Sequence, residues 1–326
     1  MKVLVVGYGS IGKRHVKNLL LIKNIEIIIC SKQEISNFSP QIKIKKHISE
    51  CIKEKPNIAI ICNESSYHVK TALRLAKYGI DLFIEKPLGI SQTDTNELIK
   101  VIKKNKIISQ MGCQLRFHKC IKEMKKAILK NQIGKIISAR VECGSYLPDW
   151  HPHEDYKKSY AAINNLGGGV VFTNIHELDY LYWFFGDVNE VFSYVQNSKL
   201  LKISADDFAV GLLKFKNNII VEIHLDYLQK DENRSCKIIG EKGIILWESK
   251  TNLVKLYDNK KRKWTDLYKL NNYDRNKMFE EEIKYFLSCV KNRKKSFNPV
   301  EKDGIITTKI GIAMMNSSKK GRVVKI

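Results

Sequence analysis

The spacing of apolar residues divides the chain into two parts with different periodicities. Up to about residue 117, short runs of consecutive apolar residues alternate with stretches in which apolar residues recur every three or four positions. Uninterrupted runs are typical of parallel strands buried on both faces, and the longer period is typical of amphipathic helices. The pattern predicts strands at 3–6, 25–30, 42–44, 58–62, 80–84 and 107–111, and helices at 11–20, 48–53, 67–78 and 92–104. A doubly wound parallel sheet is therefore expected over residues 1–117.

Beyond residue 117 apolar residues mostly alternate with polar ones. In 219–227 every odd-numbered position is apolar, whereas Glu222, His224 and Asp226 occupy even-numbered positions. Such alternation is typical of a sheet with one buried and one polar face. Further strands are predicted at 136–143, 190–196, 207–215, 237–239, 244–248 and 253–257, a hairpin turn at 216–218, and helices at 120–131, 173–185, 275–291 and 303–318. Residues 118–326 are thus predicted to form an α+β domain with an open, mainly antiparallel sheet that helices cover on one side.

Three glycines follow the first strand, at positions 7, 9 and 12. The spacing G-x-G-x-x-G between a strand and a helix is the turn of a dinucleotide-binding βαβ unit. Gly7 allows the sharp turn, Gly9 leaves room for a pyrophosphate, and Gly12 allows the helix to pack closely on the strand. The phosphates would meet unpaired N–H groups and the positive end of the helix dipole. The alternative is a glycine-containing turn that binds nothing. The expected cofactor contacts in this turn are Gly7, Tyr8, Gly9, Ser10, Ile11 and Gly12.

The end of the second strand is where a dinucleotide site chooses between NAD and NADP. An Asp or Glu about 20 residues after the glycines usually holds the ribose 2'-hydroxyl of NAD. This chain has Ser31 and Lys32 there, which suit a 2'-phosphate and favour NADP slightly. Glu34 is close enough in sequence to contribute to NAD binding. A solvated turn without a binding role is the other alternative.

Two later strand ends are expected to face the same cofactor, because ligands of open parallel sheets gather at the carboxyl ends of the strands. Asn63 follows the strand at 58–62, and Glu85-Lys86-Pro87 follows the strand at 80–84. A charged pair at the end of a buried strand is costly to place unless it has partners. We therefore expect Asn63, Glu85 and Lys86 to lie at the cofactor.

The composition is that of a globular protein with two sizeable cores. The chain has 326 residues, of which 44% are hydrophobic. No apolar run approaches the ~20 residues of a membrane span, and the first strand begins at once, so neither a membrane partner nor a secretory signal is expected. The eight cysteines are scattered without a C-x-x-C pair, which indicates buried free thiols in a reducing compartment. A cytoplasmic location is the corresponding expectation.

The formal charge of +23 raises the question of a nucleic-acid partner. However, the lysines are spread along the whole chain, and no sequence motif of a DNA- or RNA-binding module accompanies them. We therefore expect no specific nucleic-acid partner. The charge remains compatible with an anionic small-molecule substrate.

Several motifs together resemble one enzyme family. They are GYGSIG at 7–12, Glu85-Lys86-Pro87, QLRFH at 114–118, and the triple glycine at 167–169 with His176 and Asp179. The chain resembles the glucose-fructose oxidoreductase, inositol dehydrogenase and MocA family over essentially its whole length. The resemblance implies a Rossmann domain followed by an α/β domain whose open sheet pairs subunits into a homodimer or homotetramer. It also implies oxidation or reduction of a hydroxyl on a sugar, cyclitol or sugar nucleotide with NAD or NADP.

The same resemblance assigns catalytic roles. It makes Lys86 the catalytic lysine and His176 the histidine of the substrate domain. Hydride transfer from a carbinol carbon requires a group that takes the hydroxyl proton, which agrees with these side chains. Many relatives carry an aspartate about one helical turn before this histidine, whereas this chain has Thr173, followed by Asn174. Either Lys86 and His176 suffice, or Thr173 and Asn174 only position the substrate, or redox turnover has been lost.

The remaining expected substrate contacts lie in the loop 146–160 and at the domain junction. Trp150 suits stacking on a sugar ring, and His153 and Tyr156 suit hydrogen bonds to hydroxyls. The loop resembles that of relatives encoded among surface-polysaccharide enzymes, which implies an amino sugar or a nucleotide-activated sugar. Arg116 either holds an anionic group or ties the domains together. No metal is expected, although acidic residues neighbour His153 in this loop. The alternative to a substrate-binding loop is an exposed lid without a specific role.

Two other function classes remain open at this point. A non-redox enzyme that uses tightly held NAD for transient oxidation, as some glycosidases related to this family do, would need the same residues. A catalytically silent regulator that senses NAD(P) is the second alternative, which the replacement at Thr173 favours and the presence of Lys86 and His176 disfavours.

Overall fold

The computed structural model describes residues 1–35, 39 and 42–326 of the chain. Its strands are β1 (Lys2–Val6), β2 (Glu26–Cys30), β3 (Ile42–Lys45), β4 (Ile58–Ile61), β5 (Asp81–Glu85), β6 (Ser109–Gly112), β7 (Ile136–Gly144), β8 (Val188–Gln196), β9 (Phe208–Phe215), β10 (Ile220–Asp226), β11 (Asn233–Gly240), β12 (Gly243–Glu248), β13 (Leu253–Asp258), β14 (Lys263–Lys269) and β15 (Val324–Lys325). Its helices are α1 (Ser10–Leu20), α2 (Ile48–Lys53), α3 (His68–Ala76), α4 (Thr95–Lys104), α5 (Lys119–Leu129), α6 (Val170–Thr173), α7 (His176–Phe185), α8 (Asn276–Lys291) and α9 (Ile305–Lys320).

The chain divides into two compact units. The first comprises Met1–Gln114 and Asn276–Ile305, and the second comprises Leu115–Arg275 and Ile306–Ile326. The division at residue 117 that the sequence suggests stays a prediction. The structure adds that α8, which follows the second sheet along the chain, is part of the first unit.

The first unit is built on a six-stranded parallel sheet in the order β3-β2-β1-β4-β5-β6. The order reverses between β1 and β4, so the carboxyl ends of these two strands form the crevice where open α/β sheets bind ligands. Both faces of the sheet are buried, as the uninterrupted apolar runs predict. Leu4 and Val6 join the core under α3 and α4, whereas Val3 and Val5 join the core under α1 and α8.

Helix α8 belongs to this unit because of its apolar stripe. Phe279, Ile283, Phe286 and Val290 recur at helical spacing and are buried. Ile283, Phe286 and Val290 pack on the face of the sheet that α1 also covers. Full burial of one such side chain contributes about 1.5–3 kcal/mol, so the stripe commits the helix to this face. The apolar spacing predicts the helix, but it does not identify the sheet against which the helix packs.

The second unit is built on a nine-stranded mixed sheet in the order β14-β13-β12-β11-β7-β10-β9-β8-β15. Strands β7 and β10 pair in parallel, and the other neighbours pair antiparallel. The predicted alternation is confirmed over 221–225 of β10, where Val221, Ile223 and Leu225 are buried and Glu222 is exposed, whereas Asp226 at the strand end is buried. The predicted fold class, a Rossmann-type parallel sheet followed by an open and mainly antiparallel sheet, is therefore confirmed.

Three local expectations differ from the structure. The predicted helix 173–185 is two helices, α6 and α7, separated by Asn174 and Ile175. Because both segments are buried on all sides, their apolar spacing contains no signal for the break. Strands β14 and β15 were not predicted, since both lie at sheet edges, where exposed polar residues replace the alternating pattern. No helix among the described residues has the length and hydropathy that a membrane span requires.

Candidate active site

The glycine turn has the geometry that its sequence predicts. Gly7 has a φ of 93°, and a Cβ atom at this position would lie 2.6 Å from the backbone nitrogen of Asn63. A Cβ on Gly12 would overlap the carbonyl oxygen of Gly7, so only glycine lets α1 approach the turn this closely. At Gly9 a Cβ would meet no atom of the described residues within 4 Å. The turn is thus closed at Gly7 and Gly12 and open above Gly9.

The start of α1 and the end of β4 fit an anionic dinucleotide. Gly9 caps α1 without a side-chain hydrogen bond, and the first turn of α1 contains no acidic residue. Tyr8, Ser10 and Ile11 lie at this helix start, half-buried or exposed. The buried side-chain oxygen of Asn63 has no hydrogen-bond partner within the described part of the chain. Backbone N–H groups and a buried amide oxygen therefore remain for the phosphates and for a hydrogen-bond donor of NAD(P).

The residues expected to choose between NAD and NADP lie directly after β2. Ser31 is buried, its N–H donates to the Lys45 carbonyl, and its Oγ accepts a hydrogen bond from the Gln33 N–H at 3.1 Å. This bond uses a lone pair of the hydroxyl and leaves its proton to donate. Lys32 and Glu34 are both exposed. A hydroxyl, a cation and a carboxylate thus follow this strand within four residues.

The segment Glu85-Lys86-Pro87 ends β5, the neighbour of β4. The Glu85 carboxylate is buried, and His15 of α1 lies 2.7 Å away, measured from Nε2 to Oε1. Lys86 is half-buried, and the Lys86–Pro87 peptide bond is cis. In the sheet order β1-β4-β5 the glycine turn, Asn63 and Lys86 follow three consecutive strands. The sequence-predicted cofactor residues Gly7–Gly12, Asn63, Glu85 and Lys86 thus belong to one edge of one sheet.

The triple glycine of the second unit sets the start of α6. A Cβ on Gly168 would lie 2.6 Å from the Ala161 carbonyl oxygen. Gly169 has a φ of 109°, and a Cβ at this position would overlap the Asp206 carboxylate. The Asp206 carboxylate also accepts a hydrogen bond from the Val171 N–H at 3.3 Å. Burial raises the pKa of Asp206 to about 6. Asp206 thus caps a helix whose last residue is Thr173.

Thr173, Asn174 and His176 form the buried corner between α6 and α7. Thr173 ends α6, and His176 is the first residue of α7. The Thr173 hydroxyl lies close to the phenol of Tyr227, whose pKa burial raises well above its ordinary value. The side-chain nitrogen of Asn174 is buried and has no partner among the residues that the structure describes. The structure therefore brings these three expected substrate contacts together and adds Tyr227, which sequence reasoning did not select.

Two ion pairs, one fully buried and one with a half-buried arginine, fix α7. Arg116 is 0% exposed and pairs with Asp179 through two hydrogen bonds of 2.8 Å, from Nε to Oδ2 and from Nη2 to Oδ1. Glu177 of the same helix pairs with Arg234 at 2.9 Å. The sequence left two roles open for Arg116, an anion site or a tie between domains. Its ion pair lies within the second unit, and its role in substrate binding stays a prediction.

The loop 146–160 contributes side chains of different exposure. Trp150 is half-buried, donates from Nε1 to Ser145 Oγ at 2.9 Å, and packs edge-on against Tyr227 with 5.3 Å between ring centroids. Trp150 and Thr173 thus contact the same tyrosine. Tyr156 is half-buried and donates its hydroxyl to the Leu201 carbonyl at 3.1 Å, whereas His153 is exposed. Of the three loop residues predicted to bind substrate, the structure connects Trp150 to the corner of α6 and α7.

Four residues acquire importance only in the structure. His15 and His68 contact the lysine segment, Tyr227 contacts Thr173, and Asp206 caps α6. The sequence signal for His15 was a polar residue on the apolar face of a helix. Tyr227 showed only the apolar periodicity of its strand.

Family models match most of the chain. The NAD-binding Rossmann fold of the oxidoreductase family matches residues 1–113, and the C-terminal alpha/beta domain of that family matches residues 125–326. The protein is therefore an enzyme, an oxidoreductase with an NAD-binding Rossmann domain. It belongs to the glucose-fructose oxidoreductase, inositol dehydrogenase and MocA family, as the motifs indicated.

Individual relatives agree with this assignment over the full length. The chain is 26% identical to the myo-inositol 2-dehydrogenase of Thermotoga maritima, with 100% of this chain and 98% of the relative covered. Its fold is similar to that of the myo-inositol 2-dehydrogenase of Lactobacillus plantarum, with a TM-score of 0.82, 22% identity, and coverage of 100% and 99%. Levoglucosan dehydrogenase in complex with NADH and levoglucosan gives a TM-score of 0.87, 15% identity, and the same coverage.

Proposed function

We propose that this enzyme transfers hydride between a nicotinamide cofactor and a hydroxyl-bearing carbon of a sugar, amino sugar or nucleotide-activated sugar. The observation that carries the proposal is the succession of the glycine turn, Asn63 and Lys86 at the ends of three neighbouring strands. An amine at the carboxyl edge of a dinucleotide-binding sheet is placed to exchange a proton with a bound alcohol.

The proposed oxidation removes two hydrogens from the alcohol, the C–H hydrogen as a hydride and the O–H hydrogen as a proton. When bound, the nicotinamide supplies the hydride acceptor or donor. In the oxidising direction Lys86 Nζ takes the hydroxyl proton as the carbonyl forms, and in the reducing direction it returns that proton. We assign His176 as the second acid–base group, and Arg116, Trp150, His153, Tyr156, Thr173 and Asn174 as substrate contacts.

Turnover by purified protein tests this proposal. NADH and NADPH are titrated by fluorescence at two salt concentrations, because the charge of +23 attracts polyanions nonspecifically. The absorbance of reduced nicotinamide then follows reactions with inositols, levoglucosan, N-acetylated amino sugars and nucleotide sugars. A preference for nucleotide sugars would support an anionic substrate from surface-polysaccharide synthesis, and a preference for inositols would reject it. We expect Lys86→Ala to lose turnover and keep NADH binding.

The choice of cofactor is a separate proposal. We infer a slight preference for NADP from Ser31 and Lys32, which offer a hydroxyl donor and a cation to a 2'-phosphate. Lys32→Ala should then weaken NADPH binding more than NADH binding, and Ser31→Asp should favour NADH. Equal effects of Lys32→Ala on both dinucleotides would contradict a 2'-phosphate contact.

Thr173 is the residue on which the alternative functions depend. Its hydroxyl lies close to the phenol of Tyr227, and this neutral group stands where many relatives carry a carboxylate. If Thr173→Asp creates redox turnover that the natural protein lacks, a silent NAD(P)-sensing role gains support. If substrate is converted without net change in nicotinamide oxidation state, the transient-oxidation mechanism replaces the dehydrogenase proposal.

We also propose that a second copy of this chain covers the outward face of the second sheet. Large apolar side chains alternate there with charged ones, and Tyr194 and Leu212 are 52% and 47% exposed beside a groove of about 480 Å³. Two copies of one face can pair around a twofold axis. Light scattering should give a dimer or tetramer for the natural protein and a smaller species for Leu212→Glu. A natural protein that is monomeric at micromolar concentration would reject this interface.

A further inference from the structure

Two buried histidines hold the two ends of Glu85-Lys86-Pro87. His15, on α1, is fully buried, and its Nε2 lies 2.7 Å from Glu85 Oε1. His15 packs edge-on against Phe83 of β5 with 5.3 Å between ring centroids, which restricts rotation of the imidazole. The residue before Lys86 is therefore tied to the helix that follows the glycine turn.

His68, the first residue of α3, holds the other end. Its Nδ1 lies 2.7 Å from the Pro87 carbonyl oxygen, and its Nε2 lies 2.8 Å from the Asn63 carbonyl oxygen. Carbonyl oxygens only accept, so the ring completes both bonds when both nitrogens carry protons, and a neutral ring donates to one of them. Burial lowers the pKa of His68, although both carbonyl bonds act in the opposite direction. His68 thus lies between the strand ends of β4 and β5, within hydrogen-bond distance of a carbonyl oxygen from each.

The Glu85 carboxylate also packs against β6. A Cβ on Gly112 of β6 would lie 3.0 Å from the Glu85 carboxylate carbon, so the neighbouring strand packs against the carboxylate from the other side. Lys86 is the half-buried residue between these two fixed neighbours. Its backbone direction, and hence the origin of its side chain, is defined by Glu85 on one side and Pro87 on the other.

We propose that His15 and His68 are positioning residues that together fix Lys86 for proton transfer. This inference rests on the proposed function for the role of Lys86, but the contacts themselves belong to the first unit alone. The contacts of the two histidines with this segment are made to the groups on either side of Lys86. They act through the carboxylate of Glu85 and the carbonyl of Pro87.

Substitution of His68 by asparagine or glutamine distinguishes its contact with Pro87 from its contact with Asn63. In His68→Asn the amide nitrogen takes the place of Nδ1 and can donate to Pro87, whereas in His68→Gln it takes the place of Nε2 and can donate to Asn63. Misplacement of a reacting group by about 1 Å costs up to about 100-fold, so kcat should fall at least about tenfold in His68→Gln. His68→Asn should keep kcat within about threefold of the natural enzyme. The KM for the dinucleotide should change little in either variant.

His15 provides a second, independent pair of variants. His15→Gln keeps a donor for Glu85, and His15→Leu removes it, so kcat should fall in the leucine variant and be restored by glutamine. The matched control is Ser296→Ala, which removes a buried hydrogen bond of 2.9 Å to Gln110 in the same unit. This control should lower the free energy of unfolding without lowering kcat. If kcat follows the unfolding free energy in all five variants, the histidines are merely structural and the proposal fails.

A measurement without cofactor or substrate separates this proposal from the proposed function. Competitive acetylation with acetic anhydride, followed by peptide mass spectrometry, reports the reactivity of Lys86 in the folded protein. We expect this reactivity to change in His68→Gln and His15→Leu and to stay the same in His68→Asn, His15→Gln and Ser296→Ala. Unchanged reactivity of Lys86 in all five variants would overturn the positioning role. If the natural protein neither binds NAD(P)H nor turns over, the proposed function fails, while the acetylation result still decides whether the histidines position Lys86.

Discussion

Arg116 and Asp179 form a fully buried, bidentate ion pair that joins the segment before α5 to helix α7. Both guanidinium bonds measure 2.8 Å, and the guanidinium carbon lies 5.6 Å from the centre of the Trp183 ring. Because α7 begins with His176, this pair helps to set the position of the histidine to which we assign an acid–base role.

Removing one partner of this pair should be costly. Asp179→Ala leaves a guanidinium buried without its carboxylate, which should lower the free energy of unfolding by about 3–5 kcal/mol. Urea unfolding monitored by circular dichroism measures the change. The double variant Arg116→Met with Asp179→Leu removes both charges and should recover most of the lost stability. Equal instability of the single and double variants would contradict a charge-based explanation.

The two glycines at the start of α1 should respond differently to alanine. Gly9 has an extended backbone (φ −73°) and open space around a Cβ, so Gly9→Ala should change the unfolding free energy by no more than about 1 kcal/mol. It should nevertheless abolish NADH binding, because the methyl group occupies the space left for the pyrophosphate.

The matched variant is Gly12→Ala, whose methyl group would overlap the Gly7 carbonyl oxygen. We expect a loss of at least about 2 kcal/mol of folding stability. Fluorescence titration and urea unfolding of both variants make the comparison. If Gly9→Ala still binds NADH with the affinity of the natural protein, the site above Gly9 does not hold the pyrophosphate.

His118 should make the protein sensitive to mild acid. Burial lowers its pKa to about 4, whereas the unfolded chain titrates near the ordinary value of 6.5. Between these two values the unfolded state binds the additional proton, so stability is present above pH 6.5 and is lost as the pH falls towards 4. The difference corresponds to about 3 kcal/mol.

His118→Asn isolates this effect. The ring caps α5 by accepting a hydrogen bond from the Cys120 N–H at 3.2 Å, and asparagine retains a capping oxygen without titrating. The unfolding free energy of the variant should fall less between pH 7 and pH 4 than that of the natural protein. Parallel curves for the two proteins would show that another group causes the acid sensitivity.

His224 should have the opposite pH dependence. A hydrogen bond with Asp226, measured at 2.9 Å, raises the pKa of His224 in the folded state. Its contribution to stability is therefore complete below about pH 6.5 and disappears as the pH rises through the raised folded value. His224→Gln should lower the melting temperature more near pH 5.5 than near pH 8. A loss of equal size at both pH values would exclude protonation of His224 as the cause.

Much of the first unit was predictable because its signals are local. The glycine turn, the buried strands and Glu85-Lys86-Pro87 are each contained in a few consecutive residues, and the element boundaries agree with the structure within a few residues. The second unit was less predictable at its edges, where β14 and β15 expose their polar residues. It was also less predictable inside its helical layer, where no exposed position marks the break at Asn174.

By itself, the sequence determined the fold class, the dinucleotide turn and the family, since these depend on residue type and short spacing. Only the tertiary structure decided that α8 covers the first sheet, that Asp179 neutralises Arg116 and that Tyr227 lies close to Thr173. It also decided that His15 and His68 contact the two ends of Glu85-Lys86-Pro87. Arg116 and Asp179 are 63 positions apart, and His15 and Glu85 are 70 apart. Buried polar groups select their partners by proximity in the folded state, and that proximity is set by the packing of whole elements rather than by neighbouring residues.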